Sequence, residues 1–286
     1  MDQNTTFTDR EAEQVLAGIC IPPCPAILTK LMKEMRGDEP DFNRISRLIT
    51  EDASLAAAML QTVNSAFYGL RTKATSVQQA IILLGLRQVR QLVIRVLLRD
   101  AFSNGSCERM DEYWESSSTI AQVSAYLAEH FSGFNRDEAY TFALFRDCGM
   151  LAMMDSYKDY KPVLPGETVP DSEDVIARED RLHKMNHARV GANLAKMWLL
   201  PEEIYQPILW HHDYATLQQG RADIPPAYAK QIALALVAEW LFVQQTTGTE
   251  SAEWRKGGDF ALAVLGTTME DLNALMLQTM QESGIF

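Results

Sequence analysis

Leu28-Thr29-Lys30-Leu31-Met32-Lys33-Glu34-Met35 sets its apolar side chains at i, i+3, i+4 and i+7. That is one face of a 3.6-residue helix, not the alternation of a strand. Phe42, Ile45, Leu48 and Ile49 repeat the stripe one segment later. Start signals agree with it. Thr8-x-x-Glu11 and Ser76-x-x-Gln79 read as capping boxes, in which side chains satisfy the amides a first helical turn leaves free. Gly37, Gly69, Gly85 and Gly105 stand where helices should stop. Toward the other end, Tyr228–Val243 reads as a long apolar helix. Leu272, Leu275, Met276 and Thr279 form a last stripe opened by Thr268-x-x-Asp271. Alternating strands with hairpin turns are absent. The sequence predicts an all-α protein of about a dozen helices.

The 286 residues are 47% hydrophobic and 22% charged, enough apolar content to bury a core. Against 38 acidic side chains stand 26 basic ones, a net charge of -12. That balance speaks against a general nucleic-acid binder, which needs a Lys/Arg excess to neutralise phosphates. Cys20, Cys24, Cys107 and Cys148 lack the paired spacing of a zinc ribbon and are expected to be free thiols. Met1–Arg10 has no apolar signal core, and no stretch approaches a membrane span. A cytoplasmic location without membrane attachment is therefore expected. The polar stretch Ser103-Asn104-Gly105-Ser106 suggests a boundary between an N-terminal subdomain, 1–104, and a second, 105–286. The two are expected to form one compact unit. Pro162, Pro165, Gly166 and Pro170 predict an exposed loop over 161–170.

Residues 21–102 hold the most unusual local features. Pro22-Pro23-Cys24-Pro25 leads into a helix, and Asp52 opens another. Asn64-Ser65-Ala66-Phe67-Tyr68-Gly69 follows, then Ser76-Val77-Gln78-Gln79-Ala80-Ile81-Ile82-Leu83-Leu84-Gly85. Read on residue types alone, Ala56–Ala58 let helices approach closely, while Asn64 and Gly69 end one. In this order, the segments resemble the HDOD family, regulatory relatives of HD-domain metal-dependent phosphohydrolases found in bacterial signalling proteins. The resemblance continues through Tyr113-Trp114, Ala143–Gly149, His187-Ala188-x-Val190-Gly191 and Leu200-Pro201-Glu202-Glu203 to His211-His212. It implies a multi-helical HDOD/HD-domain-like bundle.

The resemblance also supplies a chemical test. An HD phosphohydrolase gathers histidines and carboxylates around one or two metal ions that activate a water. The first histidine position falls on Ser116, a poor ligand. The histidine of the His-Asp pair falls on Arg146, beside Asp147. A guanidinium stays protonated and has no lone pair to offer a metal. It is expected to pair with Asp147 where the metal would sit. His187, His211 and His212 match later metal-binding positions, and Glu239 stands where a late aspartate is common. With Asp147 these form a vestigial pocket, for which two readings stand: a metal site, or a network bonded to itself and Arg146. His130 and His183 match no motif and read as surface groups. Cys148, inside an apolar segment, is expected to stay protonated and pack.

Between Leu70 and Arg99 lie six bases and no acid: Arg71, Lys73, Arg87, Arg90, Arg95 and Arg99. Such a patch suits an anionic ligand or an acidic partner surface, or else a solvated face paired with its neighbours. Taken together, the resemblance implies a non-catalytic signal-transduction module, with no catalytic residue and no cofactor. It would bind a regulatory protein in trans or a small anionic ligand such as a nucleotide. The alternative is a residual phosphohydrolase acting on a nucleotide or phosphoester with a divalent metal (Fe, Mn or Zn).

Overall fold

The computed structural model describes residues 15–35, 40–65, 73–102, 109–167, 173–220 and 224–282. Among them are fourteen helices and no strand. The chain divides into two compact units: Pro23–Asn104, and a larger one that joins Gly105–Phe286 to the residues up to Pro22. The described residues 15–22 thus group with the larger unit, whereas a boundary at 104 places them in the smaller.

Helices α1 (Ala26–Met35), α2 (Phe42–Glu51), α3 (Ala53–Val63) and α4 (Val77–Ala101) build the smaller unit. Its core takes the stripes read from sequence: Leu28, Leu31 and Met35 from α1, Ile45 and Ile49 from α2. Phe42 departs from that reading and is 47% exposed. It is the first residue of α2, and helical side chains lean toward the N-terminus, so its ring hangs off the end of the helix. Asp41 caps α2 through the Asn43 and Arg44 amides, and Asp52 caps α3 through Leu55.

Asn64 does more than end α3. Its side chain donates to the Ala74 carbonyl at 2.9 Å and accepts from the Ala74 amide at 2.7 Å, pinning the two ends of the connection to α4. At α4 half of the capping box forms as read, with Ser76 Oγ accepting from Gln79 N, while Gln79 Oε1 accepts from the amide of Thr75, one residue before the cap. Gly85 interrupts α4 as read: at φ 75°, ψ 156° it is non-helical, and two helical stretches meet there across a kink, in a conformation open mainly to glycine. The expectations placed on Thr8–Glu11, Gly37, Ala66–Gly69, Arg71, Gly105 and Cys107 lie outside the described residues, as does the end of the 161–170 loop.

In the larger unit, α12 (Pro226–Thr247) is buried on nearly every side, from Tyr228 to Val243, as expected of a helix apolar all round. Around it pack α5 (Met110–His130), α6 (Arg136–Phe145), α10 (Glu202–Trp210) and α13 (Ala252–Leu265). Pro226 starts α12, where a missing amide costs nothing. Residues 161–167 form an irregular loop with a turn at Pro165-Gly166. The final helix, α14 (Met269–Glu282), opens on the reciprocal Thr268–Asp271 bonds. No single described helix is long and apolar enough to cross a membrane.

A close crossing sets the site. Between α6 and α7 (Gly149–Ser156) a three-residue turn, Arg146-Asp147-Cys148, separates the helices. There α7 meets α9 (His187–Met197), and a Cβ on Gly149 would lie 2.0 Å from the His187 carbonyl oxygen and 2.6 Å from the Gly191 amide. Only glycine lets Asp147 come this close to His187.

Candidate functional site: a histidine cluster beside a buried arginine

Asp147, His187, His211 and His212 come together in the larger unit, each offering one ligand atom, all within 4.8 Å of one another. They arrive from three places. Asp147 sits at the α6–α7 turn. His187 opens α9, behind the Asn186 cap. His211 and His212 follow the last turn of α10. His187 and His211 are buried, while Asp147 and His212 keep 17% and 12% of their side chains exposed. The approach from solvent therefore runs over Asp147 and His212. A cavity of about 520 Å³ opens on both.

Each imidazole is held by its outer nitrogen. Nδ1 of His187 lies 2.8 Å from Glu179 Oε2, Nδ1 of His211 2.6 Å from the Ile208 carbonyl, and Nδ1 of His212 2.7 Å from Glu253 Oε1. All three acceptors lack protons to give, so Nδ1 carries the hydrogen and Nε2 the lone pair. The three Nε2 atoms then face inward: His187 to His212 at 3.0 Å, His187 to His211 at 3.4 Å. Asp147 Oδ1 closes the group, 3.2 Å from His211 and 3.6 Å from His187. Inward lone pairs at these distances repel unless a cation or a proton lies among them.

The electrostatics follow from the partners. Burial, with His212 alongside, lowers His211 to about 3, so it stays neutral. Burial works against a charge on His187 too, but the Glu179 carboxylate outweighs it and raises the group. Glu179 is fixed in turn by the Tyr160 hydroxyl at 2.6 Å and the His187 amide at 2.8 Å. Glu253 takes a second bond from Tyr214 at 2.6 Å; despite burial, the neighbouring His212 holds it well below the carboxylate range.

Arg146 is buried against the other side of Asp147. Its guanidinium donates to Asp147 Oδ2 at 2.9 and 3.1 Å, to Glu239 Oε2 at 2.6 Å and to the Ala235 carbonyl at 3.4 Å. Burial opposes the Asp147 charge, yet Arg146 and the histidines hold its acid well below the ordinary range. For Glu239 burial prevails over the pull of Arg146 and raises the acid. Asp147 is thus shared: Oδ2 to the guanidinium, Oδ1 to the imidazoles. Glu239 belongs to the arginine and not to the four-residue cluster.

Ser116 donates to the Glu112 and Tyr113 carbonyls of its own helix and contributes nothing to the cluster. Cys148 is buried near Gly191, and burial pushes its thiol well up. His130 is exposed at the end of α5, and His183 lies against the Tyr157 and Tyr160 rings. On α4 the patch is no single stripe. At 100° per residue, Arg87, Arg90, Arg95 and Arg99 cover about half the helix circumference, with Arg87 and Arg99 exposed and Arg90 and Arg95 half-buried. Lys73 is exposed just before the helix.

The sequence reading missed Glu179, Glu253, Tyr160 and Tyr214. A carboxylate eight residues before His187 was the one local signal for Glu179.

The donor set fits a divalent ion: three imidazoles with lone pairs inward, one carboxylate oxygen, and each ring oriented by an outer acceptor, as metal-binding histidines usually are. Arg146 limits that fit, because it already neutralises Asp147 Oδ2 and Glu239.

The HDOD domain model matches residues 21–214 of the chain. An uncharacterized protein of Treponema pallidum (strain Nichols) is 24% identical over 198 residues, 68% of this chain and 38% of that one. YuxH of Bacillus subtilis is 27% identical over 127 residues, 44% and 29% respectively. The chain therefore spans well under half the length of these curated relatives. An HDOD domain protein from Geobacter sulfurreducens superposes with TM-score 0.68 at 20% identity, covering 96% of this chain and 97% of that one. A "Putative phosphohydrolase" from Shewanella amazonensis gives 0.68 at 18%, covering 94% and 93%. A "Putative signal transduction protein" from Marinobacter aquaeolei gives 0.71 at 18%, covering 99% of this chain and 66% of that one. These structures share the fold. With the motifs of residues 21–102 and the later histidines inside the matched span, the chain belongs to the HDOD family.

Proposed function

We propose that this chain is a regulatory module of signal transduction that recognises a partner and does not hydrolyse phosphoesters. The observation that carries the reading is Arg146, whose guanidinium binds Asp147 Oδ2 and Glu239. A fixed side-chain charge there cannot exchange, accept a proton or ligate a water. The name of the Marinobacter relative agrees with the reading.

A divalent ion, where one binds, would be held by His187, His211, His212 and Asp147 Oδ1 and would supply Lewis acidity toward an oxygen ligand. The chain's own residues orient that group: Glu179, Glu253 and the Ile208 carbonyl fix the three rings. Arg146 offsets the charge of two buried carboxylates that would otherwise draw a second cation. On this reading the cluster is a structural or sensing centre.

The inward-facing imidazoles favour a second reading, a residual metal-dependent phosphohydrolase, and the name of the Shewanella relative is consistent with it. Hydrolysis of chromogenic phosphoesters and nucleotides with added Mn²⁺, Fe²⁺ or Zn²⁺ separates the two. The regulatory reading expects no turnover above the metal-only control. Turnover that disappears in His211→Ala overturns it in favour of the second.

A further inference from the structure

The histidine cluster is reached from a second side. Besides the cavity over Asp147 and His212, a larger one of about 900 Å³ extends to His212, walled by Ile176, Met185, Leu209 and Trp210. Asp174, His212 and Lys256 line both cavities. Lys256 Nζ lies 2.5 Å from Asp174 Oδ2, and the two side chains are 36% and 37% exposed. This ion pair stands on the partition between the cavities.

Its anchor points matter as much as its place. Asp174 caps α8 (Val175–His183), accepting from the Ile176 and Ala177 amides. That same helix carries Glu179, which holds the His187 ring. Lys256 sits one helical turn beyond Glu253 on α13, and Glu253 holds the His212 ring. Lys256 also lies over the Tyr214 ring, 5.7 Å from its centroid. One ion pair therefore ties together the two helices that bring the outer carboxylates to the cluster.

We infer that Asp174–Lys256 is a clamp across the mouth of the cluster, which positions Glu179 and Glu253 while closed and widens the access to His212 when it opens. Half-exposed pairs of this kind are weak and salt-sensitive, which suits a bar that must part. His212 already lines both cavities, and with the bar parted the two join over it. The inference concerns access, and it holds for the cluster with or without a metal and apart from the regulatory reading.

The test is carbethoxylation of histidines by diethylpyrocarbonate on chelator-treated full-length chain, followed residue by residue by mass spectrometry. Exposed His130 serves as the internal reference. Lys256→Met keeps a side chain over Tyr214, and Asp174→Asn keeps a capping oxygen. Each is expected to speed modification of His212 about two- to fivefold, the range a pair of this exposure supports, with His130 unchanged. The double variant is expected to be no faster than the faster single one. Raising salt is expected to accelerate His212 in the wild-type chain alone, an arm that needs no substitution. A His212 rate indifferent both to salt and to either substitution overturns the clamp, as do single effects that multiply in the double variant.

Discussion

Arg146 and Asp147 are neighbours in sequence, and their pairing could be foreseen from that alone. Their third partner, Glu239, lies 93 residues from Arg146, and its bond to the guanidinium fits the self-bonded network, one of the two readings the sequence left open. Donor count decides the outcome: a buried guanidinium has five N–H groups to satisfy, and Glu239 and the Ala235 carbonyl accept what Asp147 does not. Replacing Arg146 by Met leaves two buried carboxylates without a counter-charge, and such a loss typically costs about 3–5 kcal/mol. Urea denaturation should show that destabilisation, and a midpoint within error of wild type would contradict the pairing. Glu179 acts through the His187 ring. Glu179→Gln keeps the shape and loses the charge, so divalent-metal affinity, read by calorimetry, should fall about 10–100-fold. Neither Glu179 nor Glu253 was read as a site residue: Glu253 lies 41 residues from His212, and Glu179, only eight from His187, meets it only once the consecutive helices α8 and α9 fold back on each other.

At the scale of elements, caps were the most legible feature. The Thr268–Asp271 box forms as read and Ser76 caps α4 through Gln79, since capping depends on residues three apart. Phe42 was less so: an apolar period does not show where a helix runs out of neighbours. Gly85 interrupts the helical run where it was read to. The crossing of α7 and α9 was invisible in sequence, although both glycines lie in segments singled out there. Gly149→Ala brings a methyl within 2.0 Å of a backbone oxygen, which side-chain motion cannot relieve. Overpacking of this kind costs about 1–3 kcal/mol or more, and it should separate Asp147 from His187. A thermal midpoint equal to wild type would contradict the packing.

Leu199 gives a prediction of opposite sign. It ends α9 at φ 59°, with its amide bonded to the Lys196 carbonyl and the Leu200 amide to the Ala195 carbonyl. That is a Schellman turn, in which glycine is the usual occupant. The side chain is 69% exposed, so little packing is lost on its removal. Leu199→Gly should stabilise the chain by about 1 kcal/mol, measurable by denaturant unfolding; destabilisation would show that the leucine makes contacts that matter.

Across the whole molecule, helical class followed from periodicity and family from the ordered motifs of residues 21–102. The preference for recognition over catalysis rested on Arg146 beside Asp147; which partner each oxygen of Asp147 takes was not legible. In the structure Oδ2 goes to Arg146 and Oδ1 toward His211 and His187. The most direct measurement is divalent-metal stoichiometry of the wild-type chain by calorimetric titration and elemental analysis, alongside phosphoester turnover on the same sample. The account predicts at most one ion per chain, lost in His211→Ala, and no turnover. Two ions per wild-type chain, or hydrolysis that vanishes with His211, would contradict it.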